Sequence, residues 1–183
     1  MDKNKQTSKE TFLERLSLTN FNKMQLEFME RASEDAPIML LAPTGSGKTL
    51  AYLIPMVQHL EASPSDATAL IIFPSRELAL QITEVFKSLK TSFHACVCYG
   101  GHSMRTEENR LIEKPKVIIG TPGRLSEHAQ KGNLSSLNID LVILDEFDKS
   151  LQFGFHEQLS LIFKDFSEKQ KFFLTSATTL NTL

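Results

Sequence analysis

The octet Ala42-Pro43-Thr44-Gly45-Ser46-Gly47-Lys48-Thr49 directly follows the apolar run Ile38-Met39-Leu40-Leu41 and precedes the helix-compatible stretch Leu50 to Leu60. No other stretch restricts the fold as tightly. A buried strand has to end and a helix begin across a turn made of small residues. Gly45 and Gly47 allow backbone conformations closed to bulkier side chains, so successive N–H groups can converge on an anion. Lys48 adds a point charge for β- and γ-phosphates, Thr49 offers its hydroxyl to Mg²⁺, and the helix presents its positive end to the same anion. Ala42 stands where the pattern usually has its first glycine, a position that requires small size. Thr44, Gly45, Ser46, Gly47, Lys48 and Thr49 are therefore the candidate nucleotide-phosphate cradle. Pro55 is expected to kink or end the helix that follows.

The rest of the chain supplies the frame that such a turn needs. Apolar runs too short for helices recur at 38–42, 69–73, 94–99, 116–120, 140–145 and 171–175. Most are continuous rather than alternating, which predicts strands buried on both faces. Between them lie helical patterns, clearest in 75–90, where Leu78, Ile82, Val85, Phe86 and Leu89 form one stripe. Before the first strand, Met24, Phe28 and Ala32 recur at helical spacing, and Thr7 with Glu10 has capping-box spacing. Strand and helix in alternation predict an α/β fold with a mostly parallel sheet and helices on both faces. Residues 1–6 read as a polar tail and 7–183 as one compact domain, with no internal repeat.

Charge and composition narrow the function. Twenty Lys+Arg against 22 Asp+Glu leave a formal charge of −2, so no global positive field advertises nucleic acid and any such contact must be local. Cys96 and Cys98 lie two apart in an apolar run, which puts them on one face of a strand without metal or disulfide spacing. The polar N-terminus lacks the apolar core of a secretion signal, and no apolar run reaches the roughly 18 residues of a membrane span. A soluble, cytoplasmic protein is expected.

The run Leu141-Val142-Ile143-Leu144 ends in Asp145 and Glu146. This is the carboxyl end of a buried strand, where open α/β sheets put their ligands. An aspartate there can hold Mg²⁺ through water, and its neighbouring glutamate can polarise an attacking water. Lys48, Asp145 and Glu146 are the candidate catalytic residues, and Thr49 and Asp145 the candidate metal site.

In order along the chain stand 42–49, Pro74-Ser75-Arg76-Glu77-Leu78-Ala79, Gly100-Gly101, Thr121-Pro122-Gly123-Arg124, Asp145-Glu146-Phe147-Asp148 and Ser176-Ala177-Thr178. These motifs, over residues of about 20 to 178, resemble the N-terminal RecA-like domain of DEAD-box ATP-dependent RNA helicases. The resemblance implies a RecA-like P-loop NTPase domain, with ATP and Mg²⁺ as cofactors and RNA as partner. It implies that Pro74, Ser75, Arg76, Glu77, Gly100, Gly101, Thr121, Pro122, Gly123 and Arg124 line the RNA backbone. It implies that Gln25 reads the adenine edge, and that Asp148, Ser176 and Thr178 couple hydrolysis to strand separation. Physically, Ser75 and Thr121 can each cap a helix whose free N–H groups face outward, with Arg76 and Arg124 beside those positive ends. Such contacts hold a strand without reading its bases.

Several residues depart from the family pattern. Phe147 replaces an alanine, so a large ring has to be housed near the acidic pair; Ser75 replaces threonine, and Pro43 a glutamine. Around Gln25 the usual prolines are missing, and Phe12 and Phe21 do not stand at the usual stacking distance. The family's second RecA-like domain, which carries an arginine finger worth on the order of 10³ to 10⁵ in rate, has no counterpart in 179–183. The isolated chain is therefore expected to hydrolyse ATP very slowly. The alternatives are a stand-alone nucleotide-gated RNA-binding or partner-binding module without turnover, and a domain of a related DNA helicase.

Overall fold

A computed structural model describes residues 6–178 apart from 35, 102, 165 and 168. In chain order the elements are α1 (Lys9–Leu16), α2 (Lys23–Arg31), β1 (Ile38–Leu41), α3 (Lys48–Ala62), β2 (Ala67–Ile72), α4 (Arg76–Ser88), β3 (Ala95–Cys98), α5 (Met104–Ile112), β4 (Val117–Gly120), α6 (Pro122–Gln130), β5 (Asn138–Leu144), α7 (Phe147–Gln152), α8 (His156–Phe163) and β6 (Lys171–Ser176). The strands form one six-stranded sheet in the order β1-β6-β5-β2-β4-β3. Every pairing is parallel.

Why the strands lack alternation is visible in their burial. Every residue of β2 and β4 is buried, because each face of the sheet is covered. Ala69, Ile71, Val117, Ile119, Leu141 and Ile143 point into a core with α1 to α4, and Leu70, Ile72, Ile118, Val142 and Leu144 into a second core with α5, α6 and α8. The parallel arrangement has a functional consequence. All six strands end at the same edge, and the loop after each one carries one of the motifs read from the sequence.

Three local expectations are corrected. Thr7 does not cap α1: its N–H and hydroxyl both donate to the Glu61 carboxylate at 2.6 Å, and Ser8 caps the helix by accepting from the Thr11 N–H. Gln6, read with the tail, donates to the Gln58 carbonyl on α3. Pro55 neither ends nor divides α3, which runs through it to Ala62. The ring lacks the N–H that would reach the Ala51 carbonyl, but it is buried within the packed face of a helix of 15 residues. Of the tail, residues 1–5 lie outside the described residues, as do 179–183.

Candidate functional site

The phosphate cradle begins where β1 stops. Gly45 and Gly47 hold φ values of 81° and 89°, in the left-handed region that side chains disfavour. At Gly47 a Cβ would also lie 2.6 Å from the Gln25 amide nitrogen. The Lys48 ammonium, buried, donates to the Ala42 and Pro43 carbonyls at 2.7 and 2.9 Å. Beside it the Ser46 hydroxyl is buried with no hydrogen-bond partner, a state that costs about 1–3 kcal/mol when nothing is bound. An anionic oxygen in the loop would satisfy it, so the residues fit a nucleotide triphosphate. A cavity of about 340 Å³ joins this loop to Thr49, Asp145, Glu146 and the α4 stripe Leu78, Ile82 and Val85. A larger cavity of about 550 Å³ lies around His59 and Asp140, and none of the motif residues lines it.

Gln25 lies against the cradle rather than in open space. Its carbonyl accepts from the Asn22 N–H at 2.9 Å, closing a capping box on α2, and its amide donates to the Gly47 carbonyl at 3.0 Å. Asn22 adds a bond to the Ser46 carbonyl at 3.0 Å. Helix α2 is thereby fastened to the loop. One N–H and one lone pair of the Gln25 amide remain unused by these bonds.

At the end of β5 the Asp145 carboxylate accepts from the Tyr52 hydroxyl at 2.8 Å, the Glu146 N–H at 3.0 Å and the Thr175 hydroxyl. Burial pushes its pKa up, and the bonds from Thr175 and Tyr52 only partly offset this. A carboxyl whose folded pKa is raised binds its proton more readily folded than unfolded, so its charge destabilises the fold at neutral pH, and the penalty fades as pH falls through the folded value. Asp145→Asn is accordingly expected to raise the melting temperature at pH 7; a lower melting temperature would show that the charge is stabilised in place. Next to it, Glu146 is buried with a φ of 51°, and its carboxylate takes the Lys149 ammonium at 2.8 Å.

The remaining acidic residue faces β6. Asp148 Oδ2 accepts from the Thr178 hydroxyl at 2.9 Å and from the N–H groups of Thr178 and Ala177 at 3.2 and 3.3 Å. Ser176 donates to the Thr178 carbonyl at 2.6 Å. Burial works to raise the Asp148 pKa, but the bond from Thr178 and the backbone donors outweigh it and hold it below the ordinary range. Phe147, between these carboxylates, turns its ring into the second core and so leaves the cavity clear.

Along the same edge lie the other three loops. Pro74 is buried, Ser75 caps α4 by accepting from the Leu78 N–H at 3.3 Å, and Glu77 is exposed in the first turn. Arg76 is exposed and lays its guanidinium 4.9 Å from the centre of the Tyr99 ring. Gly100 and Gly101 are exposed, the latter at a φ of 97°. Thr121 occupies the N-cap position of α6 with Pro122 next, but its side chain makes no capping bond; its N–H donates to the Cys98 carbonyl at 3.0 Å. Close approach of the two strands explains Gly120, where a Cβ would meet that carbonyl at 2.7 Å. Gly123 leaves the first turn of α6 open, while Arg124 folds inward: its side chain is only 11% exposed, with Nε 3.4 Å from the Tyr99 carbonyl.

The family model for the DEAD/DEAH box helicase matches residues 22–183. This chain is a member of that family. An ATP-dependent rRNA helicase, RRP3 of Yarrowia lipolytica, is 36% identical over 168 residues, covering 90% of this chain and 35% of its own length. Among solved structures, Mss116p bound to ssRNA and AMP-PNP aligns with a TM-score of 0.85 at 30% identity, over 96% of this chain and 39% of that one. A DEAD box protein from the hyperthermophile Methanococcus jannaschii aligns with a TM-score of 0.82 at 28% identity, over 94% of this chain and 49% of that one. The chain spans about a third of the length of the curated relatives it matches.

As a DEAD/DEAH box domain, the chain has the expected α/β architecture, with the P-loop and the acidic pair opening on one cavity. Sequence reading missed the residues behind the outer loops. Tyr99, Glu107 and His128 are buried at the junction of β3, α5 and α6, and no short motif marks them. Among the described residues, no helix is long and apolar enough to cross a membrane.

Proposed function

We propose that this chain is the Mg-ATP-binding half of an ATP-dependent RNA helicase, in which ATP closes this domain and a second RecA-like domain on single-stranded RNA and hydrolysis releases it. The observation that carries this reading is the single sheet edge on which phosphate loop, acidic pair and three outward-facing loops are aligned. Lys48 and the backbone of 44–49 would hold the triphosphate, Thr49 and Asp145 the Mg²⁺, and Glu146 the attacking water. Gln25 would use its remaining donor and acceptor for the adenine edge. Asp148, through Ser176 and Thr178, ties the acidic loop to the end of β6 and would carry the state of the nucleotide to the RNA face. Bound Mg²⁺ would supply charge neutralisation between the phosphates.

RNA would lie across the loops after β2, β3 and β4, held by backbone N–H groups and Arg76 without base readout, so binding is sequence-independent and falls with salt. The name of RRP3 and the ssRNA bound to Mss116p support RNA over DNA. Cys96 and Cys98 are free thiols, in keeping with work in a reducing compartment such as the cytoplasm. The test joins this chain to its cognate second domain and measures ATP hydrolysis with and without RNA. Stimulation by RNA and not by DNA is expected. Equal stimulation by both would overturn the RNA assignment, and nucleotide-dependent RNA binding without turnover would favour a binding module.

A further inference from the structure

We infer that Glu107 is the positioning residue of the RNA-backbone face: one buried carboxylate that locks the loops after β2, β3 and β4 together around Tyr99. The inference rests on the RNA reading above. Glu107 lies on α5, within an otherwise polar helix, yet is only 3% exposed. Its Oε1 accepts from the Tyr99 N–H at 3.3 Å, and its Oε2 takes His128 Nε2 at 2.8 Å and Arg124 Nε at 3.4 Å. The Asn133 amide nitrogen meets His128 Nδ1 at 3.0 Å. An amide nitrogen can only donate, so Nδ1 accepts and Nε2 carries the proton that goes to Glu107. The Arg124 guanidinium and the Glu107 carboxylate form an ion pair, with the His128 ring hydrogen-bonded beside it.

Tyr99 is held from every side by this arrangement. Glu107 takes its N–H, Arg124 its carbonyl, and Arg76 stacks on its ring. The next residues are Gly100 and Gly101, and the Arg76 guanidinium lies 3.4 Å from where a Cβ of Gly101 would stand. Three loops far apart in sequence thus share one fixed point, so their N–H groups keep a constant spacing for consecutive phosphates. Arg124 acts here through Tyr99, while its Nη1 reaches Glu127 at 3.0 Å. Cys98 makes a buried trio with Glu107 and His128 of a kind that can hold a metal, but the Arg124 guanidinium and the His128 ring already occupy the carboxylate.

Elementary electrostatics makes the test sharp. Removing a negative charge from beside an RNA site should by itself strengthen binding to a polyanion. Loss of a positioning group should weaken it. Glu107→Gln keeps the shape but has one acceptor oxygen in place of two, so Tyr99 or His128 loses its partner. Glu113→Gln is the control, since Glu113 is exposed at the C-terminal end of the same helix and makes none of the clamp's hydrogen bonds. With the whole chain, a labelled oligouridylate titrated over a salt series should bind roughly five- to tenfold more weakly to Glu107→Gln, with a shallower salt slope. Amide exchange at Tyr99 and Gly101 should quicken, and Mg-ATP affinity should stay unchanged. Glu113→Gln should bind RNA as well as the parent or better. Unchanged or tighter RNA binding by Glu107→Gln, or a parallel loss of Mg-ATP binding, would overturn the inference. If the parent chain itself binds no RNA, the RNA reading falls, and this inference with it.

Discussion

Lys48→Ala is expected to remove Mg-ATP binding from the chain, weakening it by about 10² to 10³-fold, the loss of one or two charge-assisted hydrogen bonds at about 1.5–3 kcal/mol each. The geometry explains why so much rests on one side chain. The ammonium is buried and spans its own loop, to the Ala42 and Pro43 carbonyls, so it stands where a phosphate would enter and needs only a short swing to trade a carbonyl for a phosphate oxygen. No other lysine or arginine lines this cavity among the described residues. Calorimetric titration gives the affinity directly. A second readout is the melting temperature, which saturating Mg-ATP should raise for the parent chain by linkage and leave unmoved for the variant. Unchanged affinity in Lys48→Ala would place the phosphate site elsewhere.

The same loop shows what a sequence can and cannot disclose. Gly45, Gly47 and Lys48 are legible because their roles arise from backbone freedom and charge within eight consecutive residues, and the continuous apolar runs are legible because a parallel sheet buries both faces. Caps are less so: Thr7 and Ser8 are equally good capping residues by type, and what decides between them is Glu61, far along the chain, which takes both donors of Thr7. Thr121 and Ser75 both stand at an N-cap with extended backbone, yet Ser75 makes the capping bond and Thr121 does not. The Glu107 clamp is wholly illegible. Its three partners, Tyr99, Arg124 and His128, come from the loop after β3 and from α6, and nothing in a polar helix announces which of Glu107, Glu108 and Glu113 will be buried. Sequence motifs therefore report the residues aimed at ligands, and tertiary contacts choose the residues that aim them.

Glu146→Gln should separate binding from chemistry. In the chain joined to its second domain, RNA-stimulated ATP hydrolysis is expected to fall by roughly 10² to 10⁴-fold, the usual worth of a positioned acid–base group, while ATP-dependent RNA binding persists. The residue sits in a strained place, since a left-handed backbone at a glutamate is disfavoured by about 1–2 kcal/mol, and its φ of 51° is maintained between the buried Asp145 and the first turn of α7. Strain of this kind is retained where it aims a side chain. Here it brings the carboxylate beside Asp145 at the mouth of the nucleotide cavity, where a water in line with a γ-phosphate would stand. Glutamine keeps size and backbone but cannot accept a proton, and the ion pair it loses, to a Lys149 side chain that is 40% exposed, is worth little in solvent. The melting temperature should then change little, and the Michaelis constant for ATP should hold while the turnover number collapses. Turnover that survived in Glu146→Gln would remove the glutamate from the chemistry, and a lost ATP affinity would make it part of the binding site instead.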